Sequence, residues 1–136
     1  MDNQTTVENW VALWYQHGEP VMGRCWNNNG KYAAAFGWHE KEFTGNVGSF
    51  QVLSYKTVPQ MGHEISWRPF SQAKTDGWVP VHVANIVPCV VKTAQGFERL
   101  GKANLIKETA GAPWGGKEEV FTGPVVQTFM VLCRKP

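Results

Sequence analysis

The 136-residue chain has little charge: Asp, Glu, Lys and Arg make up 18% of it, leave a formal net charge of +2, and form no basic run. Proteins that neutralise nucleic-acid phosphates gather Lys and Arg into a patch or stripe, so no nucleic-acid partner is expected. Long apolar runs are lacking too. The richest stretch, residues 83–91, is broken by Asn85 and Pro88, far short of the ~18 continuous apolar residues of a membrane span. The first six residues are polar and carry no apolar signal core, which points to a cytoplasmic protein or one exported by an unconventional route. Cysteine is scarce and unpaired in pattern. Cys25, Cys89 and Cys133 are odd in number, far apart and without CxxC spacing, so buried reduced thiols are expected instead of a disulfide framework. Aspartate occurs only at positions 2 and 76.

Tryptophan and glycine are abundant instead, at 7 and 14 residues. Short segments rich in Val and aromatics recur at Trp10–Tyr15, Val21–Trp26, Lys31–Phe36, Phe50–Tyr55, Ile65–Phe70, Trp78–Val83, Val87–Lys92 and Thr128–Cys133. Turn residues such as Asn29-Gly30, Asp76-Gly77 and Gly115-Gly116 punctuate them. No stretch holds an apolar period of 3.6 over three turns. The expectation is an all-β, sandwich-like single domain over residues 1–136.

The chain repeats itself. A shift of 78 residues lays residues 17–47 on 95–125 without a gap, with nine identities that include Gly23/Gly101, Ala34/Ala112, Gly37/Gly115 and Glu40/Glu118. Average composition gives roughly two by chance. Trp10-Val11 matches Trp78-Val79 if the second copy carries an insertion around residues 83–92. Two pseudo-symmetric repeats result, over residues 9–56 and 77–135, joined by residues 57–76, in which Trp67 and Phe70 suggest a strand.

Several catalytic patterns fail on inspection. Residues 96–102 and 111–117 fit GxxxxGK, but Ala103 and Glu118 stand where a Mg²⁺-holding Ser or Thr is needed. The four histidines (17, 39, 63 and 82) form no metal clip, and GxSxG is absent. Glu40 and Glu118 fall at equivalent places of separate repeats, which suggests two copies of one role and not an acid–base pair on one bond. A turn-capping role for these carboxylates is the simpler alternative. No catalytic residue, metal or cofactor is expected. Trp26 and Trp38 face Asn104 and Gly116 in the 78-residue alignment, so they are candidates for an aromatic surface beside Asn28. Such a surface suits sugar recognition, in which a ring packs on C–H groups and polar groups read hydroxyls. The competing reading makes these rings core.

Gly115-Gly116-Lys117-Glu118 ahead of Val131-Leu132, Trp78-Val79-Pro80, and Gly18-Glu19-Pro20 followed by Gly23-Arg24 together resemble the motifs of the DM9 repeat (DUF3421) family. The shortened form is similar to nematode members. The resemblance implies two interlocked all-β repeats, a possible homodimer, and a lectin-like role in which mannose-type glycans are bound in innate immune or stress responses. It implies a site Lys, for which Lys31 stands in the first repeat and Lys107 or Glu108 in the second. His39, Glu40, Lys117 and Glu118 complete the candidate ligand-binding set with Trp26, Asn28 and Trp38. The alternative is an intracellular interaction or scaffold protein of the same fold without sugar binding.

Overall fold

The computed structural model describes residues 10–44, 48–53 and 64–135. Its strands run in chain order as β1 (Trp10–Gln16), β2 (Glu19–Asn28), β3 (Lys31–Trp38), β4 (Lys41–Phe43), β5 (Gln51–Val52), β6 (Glu64–Pro69), β7 (Val79–Pro80), β8 (Ile86–Lys92), β9 (Glu98–Asn104), β10 (Thr109–Trp114), β11 (Lys117–Thr122) and β12 (Met130–Lys135). Two 3-10 turns, Phe70–Gln72 and Gly123–Thr128, are the helical pieces among the described residues. The chain is all-β, as its composition predicts.

Local chemistry sets these elements. β8 is a Val-rich run buried at five successive residues, the pattern of a strand covered on both faces. Two-residue turns join β1 to β2, β2 to β3, β3 to β4 and β10 to β11. Both central residues have positive φ in each: His17-Gly18 (50° and 78°), Asn29-Gly30 (54° and 89°), His39-Glu40 (52° and 64°) and Gly115-Gly116 (63° and 87°). That is the requirement of the hairpin turn whose twist matches its strands. Asn29-Gly30 is the favoured sequence for it, reinforced by the Gly30 N–H donating to Asn27 Oδ1 at 2.8 Å. His39-Glu40 is not.

The strands pair antiparallel in the order β5-β1-β2-β3-β4-β11-β10-β9-β8-β12-β6, with β7 on β12. Read from the middle outward, the order is symmetric: β4 matches β11, β3 matches β10, β2 matches β9, β1 matches β8 and β5 matches β12. The sheet curls so that β2 lies against β8 and β9, and β3 against β9, β10 and β11. Each half keeps its own apolar cluster. Ala12, Trp14, Val21, Cys25, Ala34 and Phe36 form the first. Val87, Cys89, Val91, Ala103, Val126, Phe129 and Val131 lead the second. The three thiols are free and buried, and burial raises each above the ordinary cysteine value, Cys89 furthest.

Two details of the repeat alignment change. The counterpart of β1 in the sheet is β8, which occupies the stretch that the repeat alignment leaves as an insertion; Trp78 instead leads into β7, which pairs with β12 at Pro80↔Cys133. The offset also slips by two residues inside the second repeat. Trp26 pairs with Ala33 in the first half, and Asn104 with Thr109 in the second. Four residues, 105–108, therefore do the work of six, 27–32. The tighter connection is held by Asn104 Oδ1, which accepts the N–H groups of Ile106 and Lys107 at 2.9 and 3.0 Å. Beyond it the true offset is 76. Trp38 then matches Trp114, Lys41 matches Lys117, and Glu42, not Glu40, matches Glu118.

Candidate functional site

The two halves meet where β4 pairs with β11 at Lys41↔Lys117. The backbone, carboxylate and ion-pair contacts there come in matched pairs, as a pseudo-two-fold axis demands. Glu42 N–H donates to Gly116 O (3.3 Å), and Glu118 N–H to Glu40 O (3.1 Å). The carboxylate of Glu42 accepts the Gly116 N–H at 2.8 Å, and that of Glu118 accepts the Glu40 N–H at 3.1 Å. Arg24 pairs with Glu42 at 3.7 Å, and its counterpart Lys102 with Glu118 at 3.2 Å. Lys102 also donates to the Gly37 carbonyl. The Glu118 side chain is 5% exposed, so this carboxylate is a strut between the halves.

On one side of the axis, side chains fill the cleft between the halves. The guanidinium carbons of Arg24 and Arg99 lie 4.7 and 4.5 Å from the centre of the Trp114 ring, and Arg24 is also 4.7 Å from that of Trp26. On the other side the cleft stays open as a groove of about 330 Å³. Its floor is the β8–β11 face, with Ile86, Asn104, Lys102, Thr109, Gly111 and Val120; Glu19-Pro20 and Trp38-His39 form its walls. Trp38 lies against His39 at 3.9 Å between ring centres, and against His17 at 5.4 Å.

The groove gathers Trp38, His39, Lys107 and Glu118 of the sequence-derived set. It leaves out the others. Trp26 packs on Arg24 in the filled cleft. Lys31 and Asn28 pair with each other across the β2–β3 turn. Glu40 is exposed in its turn, and Lys117 is exposed beside Lys41 on the axis. Sequence reasoning missed Glu42, Lys102, Trp114, Asn104 and Val120. The signal for the first and third was present: Trp38-x-x-Lys41-Glu42 and Trp114-x-x-Lys117-Glu118 share one pattern, hidden by the two-residue slip. A second, more apolar pocket of about 510 Å³ lies between β1, β5 and residues 81–83. Among the described residues no three His, Cys, Asp or Glu side chains are grouped to hold a metal, and no helix is long and apolar enough to cross a membrane.

A family model described as MFP2b, cytosolic motility protein, matches residues 1–136. The chain belongs to the MFP2b family. Its fold is similar to the crystal structure of the nematode sperm cell motility protein MFP2B, with a TM-score of 0.86 and 46% identity over 93% of this chain. The match spans 37% of that protein's chain. No curated protein matches. The cytoplasmic location expected from the sequence agrees with the family's description as cytosolic.

Membership of the MFP2b family overturns the DM9 assignment, and with it the lectin function, the mannose-type glycan partner and the innate-immune role. The reason is physical. The short motifs that carried the resemblance are local necessities of this sheet: Gly115-Gly116 makes a hairpin turn with positive φ at both residues, and Glu118 is the buried strut across the axis. Such requirements recur wherever a two-residue turn precedes a buried ion pair, so the letters match without the function.

Proposed function

We propose that this chain is a non-catalytic, protein-binding module of a cytosolic motility apparatus. The observation that carries the reading is the match of the whole chain to a family described as cytosolic motility protein, supported by the 46% identity to a sperm cell motility protein. The chemistry of the site favours binding over turnover. Its two buried carboxylates are each paired with a cation, Glu42 with Arg24 and Glu118 with Lys102. A general base or nucleophile needs a reacting partner within reach, and these groups are engaged in holding the halves together. The groove is instead concave, half apolar and rimmed by Lys107 and Glu19, features suited to a protein segment.

The test is capture from the cytosol of motile cells on the immobilised, purified chain. The expected result is one motility-apparatus protein retained saturably and in stoichiometric amount, with added nucleotides and sugars left chemically unchanged. Retention of nothing in saturable amount, or turnover of an added compound, contradicts the proposal.

A further inference from the structure

The pseudo-two-fold axis gives the chain two versions of one cleft, and it fills only one from its own sequence. In the filled cleft, Trp26 covers the Arg24 guanidinium and Arg99 covers Trp114; both arginines are buried. Phe97 lies beside Arg99 at 5.7 Å. At the matching places of the open groove stand Asn104 for Trp26 and Glu19 for Phe97, while Val21, the counterpart of Arg99, is withdrawn into the first half's own core. An indole, a guanidinium and a phenyl ring have been replaced by smaller or charged side chains. The space they occupy on one side is the vacant volume of about 330 Å³ on the other.

The open groove also runs along a strand edge. β11 pairs with β4 at Lys117 alone among the described residues. Glu118 directs its N–H to that side, where it donates to Glu40 O. Backbone groups alternate along an antiparallel strand, so Val120 directs its N–H and C=O the same way. Val120 is 43% exposed and lines the groove.

We infer that the groove receives an extended segment of a partner protein, added as a strand to the outer edge of β11, with an aromatic side chain seated beside Asn104 and over Lys102, where the other half seats its own Trp26. Main-chain pairing supplies the register of such an addition, and the pocket for alternate side chains supplies its selectivity. The inference rests on the binding-module reading above and specifies its site. The filled cleft is the template: it shows that a planar ring fits between the halves at this place.

The probe is a blocked pentapeptide, Thr-Val-Trp-Val-Thr, titrated into the ¹⁵N-labelled chain and followed by NMR, with Thr-Val-Gly-Val-Thr as control. The expected result is saturable shifts at the Val120 amide, the Asn104 side-chain amide and the Trp38 indole N–H. The glycine peptide should bind about tenfold more weakly, the ~1.4 kcal/mol equivalent of one seated ring. Asn104→Trp should reduce binding at least about tenfold by filling the groove as Trp26 fills its counterpart. Because that change also removes the cap on Ile106 and Lys107, Val120→Pro is the second variant. Proline is tolerated on an outward edge and deletes the Val120 N–H that the incoming strand would engage. Shifts centred on the pocket beside β5, no shifts at all, or unchanged affinity in both variants would overturn the inference. If both variants still capture the cytosolic partner as wild type does, the groove is wrong and the binding-module reading stands. If no form captures a partner, that reading itself falls.

Discussion

Replacing Gly111 by Ala places a methyl carbon 2.6 Å from Glu118 Oε2 and 2.9 Å from its Cδ, too close for either atom to remain. The carboxylate must leave the position from which it pairs with Lys102 at 3.2 Å and accepts the Glu40 N–H at 3.1 Å. Room on the other side is short as well: the Gly37 backbone lies so close that a Cβ built there would fall 2.6 Å from the same side chain. Breaking a buried ion pair costs ~3–5 kcal/mol. The 20% exposure of Lys102 lets water recover part of that, so about 3 kcal/mol is expected for Gly111→Ala. Glu118→Ala should cost about 2–3 kcal/mol on its own, by leaving Lys102 with the Gly37 carbonyl as its remaining partner. In the double variant the new methyl enters space the carboxylate has vacated. It should therefore be no less stable than Glu118→Ala, a coupling of about 3 kcal/mol. Urea unfolding followed by tryptophan fluorescence measures all three variants. Additive costs, within about 0.5 kcal/mol, would refute the claim that Glu118 is wedged between the two glycine-lined strands.

The axis itself predicts that Glu42→Ala destabilises by about as much as Glu118→Ala, and Glu40→Ala by less than about 0.5 kcal/mol; the same unfolding assay ranks them. His39-Glu40→Asn-Gly should stabilise the fold by roughly 1 kcal/mol, because Asn tolerates the positive φ of position 39 better than His and Gly removes the side chain from that of position 40, and a calorimetric melting point that falls would contradict this. Cys25, Cys89 and Cys133 are buried with thiols raised above the ordinary value. A thiolate-requiring reagent at pH 8 should thus label none of them in the folded chain and all three after denaturation; rapid native labelling would show that the cores open.

The sequence disclosed the fold class and the duplication because the same packing problem is solved twice. Gly23 and Gly101 are identical because a Cβ at either would strike a carbonyl of the neighbouring strand, at 2.3 Å from Ala35 O and 2.1 Å from Gly111 O. The strands rich in Val and aromatics were legible for the usual reason. β9, β10 and β11 were not: their sequences, ERLGKAN, TAGAPW and KEEVFT, are dominated by small and charged residues. Lys102, Gly111 and Glu118 lie at the junction with the opposite half, where space is short, and Ala103, Ala110 and Ala112 fill the second half's own core as small residues. The slip from 78 to 76 could not be seen either, since it depends on one asparagine side chain closing a connection of four residues in place of six. That slip concealed the equivalence of Trp38 with Trp114 and made a shared structural position look like a surface peculiar to one repeat. The groove exists through the departures from symmetry at Asn104 and Glu19, and through Val21 turning into the core where its counterpart Arg99 covers Trp114; no single repeat reveals these.

On the proposed function, this chain acts by seating another protein in the open groove. Lysine-directed cross-linking in the cytosol of motile cells, read site by site, tests it most directly. Lys107 on the groove rim should carry the cross-links to the partner, while Lys74 and Lys92, exposed elsewhere, stay at background; the Lys107 cross-links should fall in Val120→Pro. Cross-links spread evenly over all three lysines, or absent from Lys107 while a partner is bound, would contradict it.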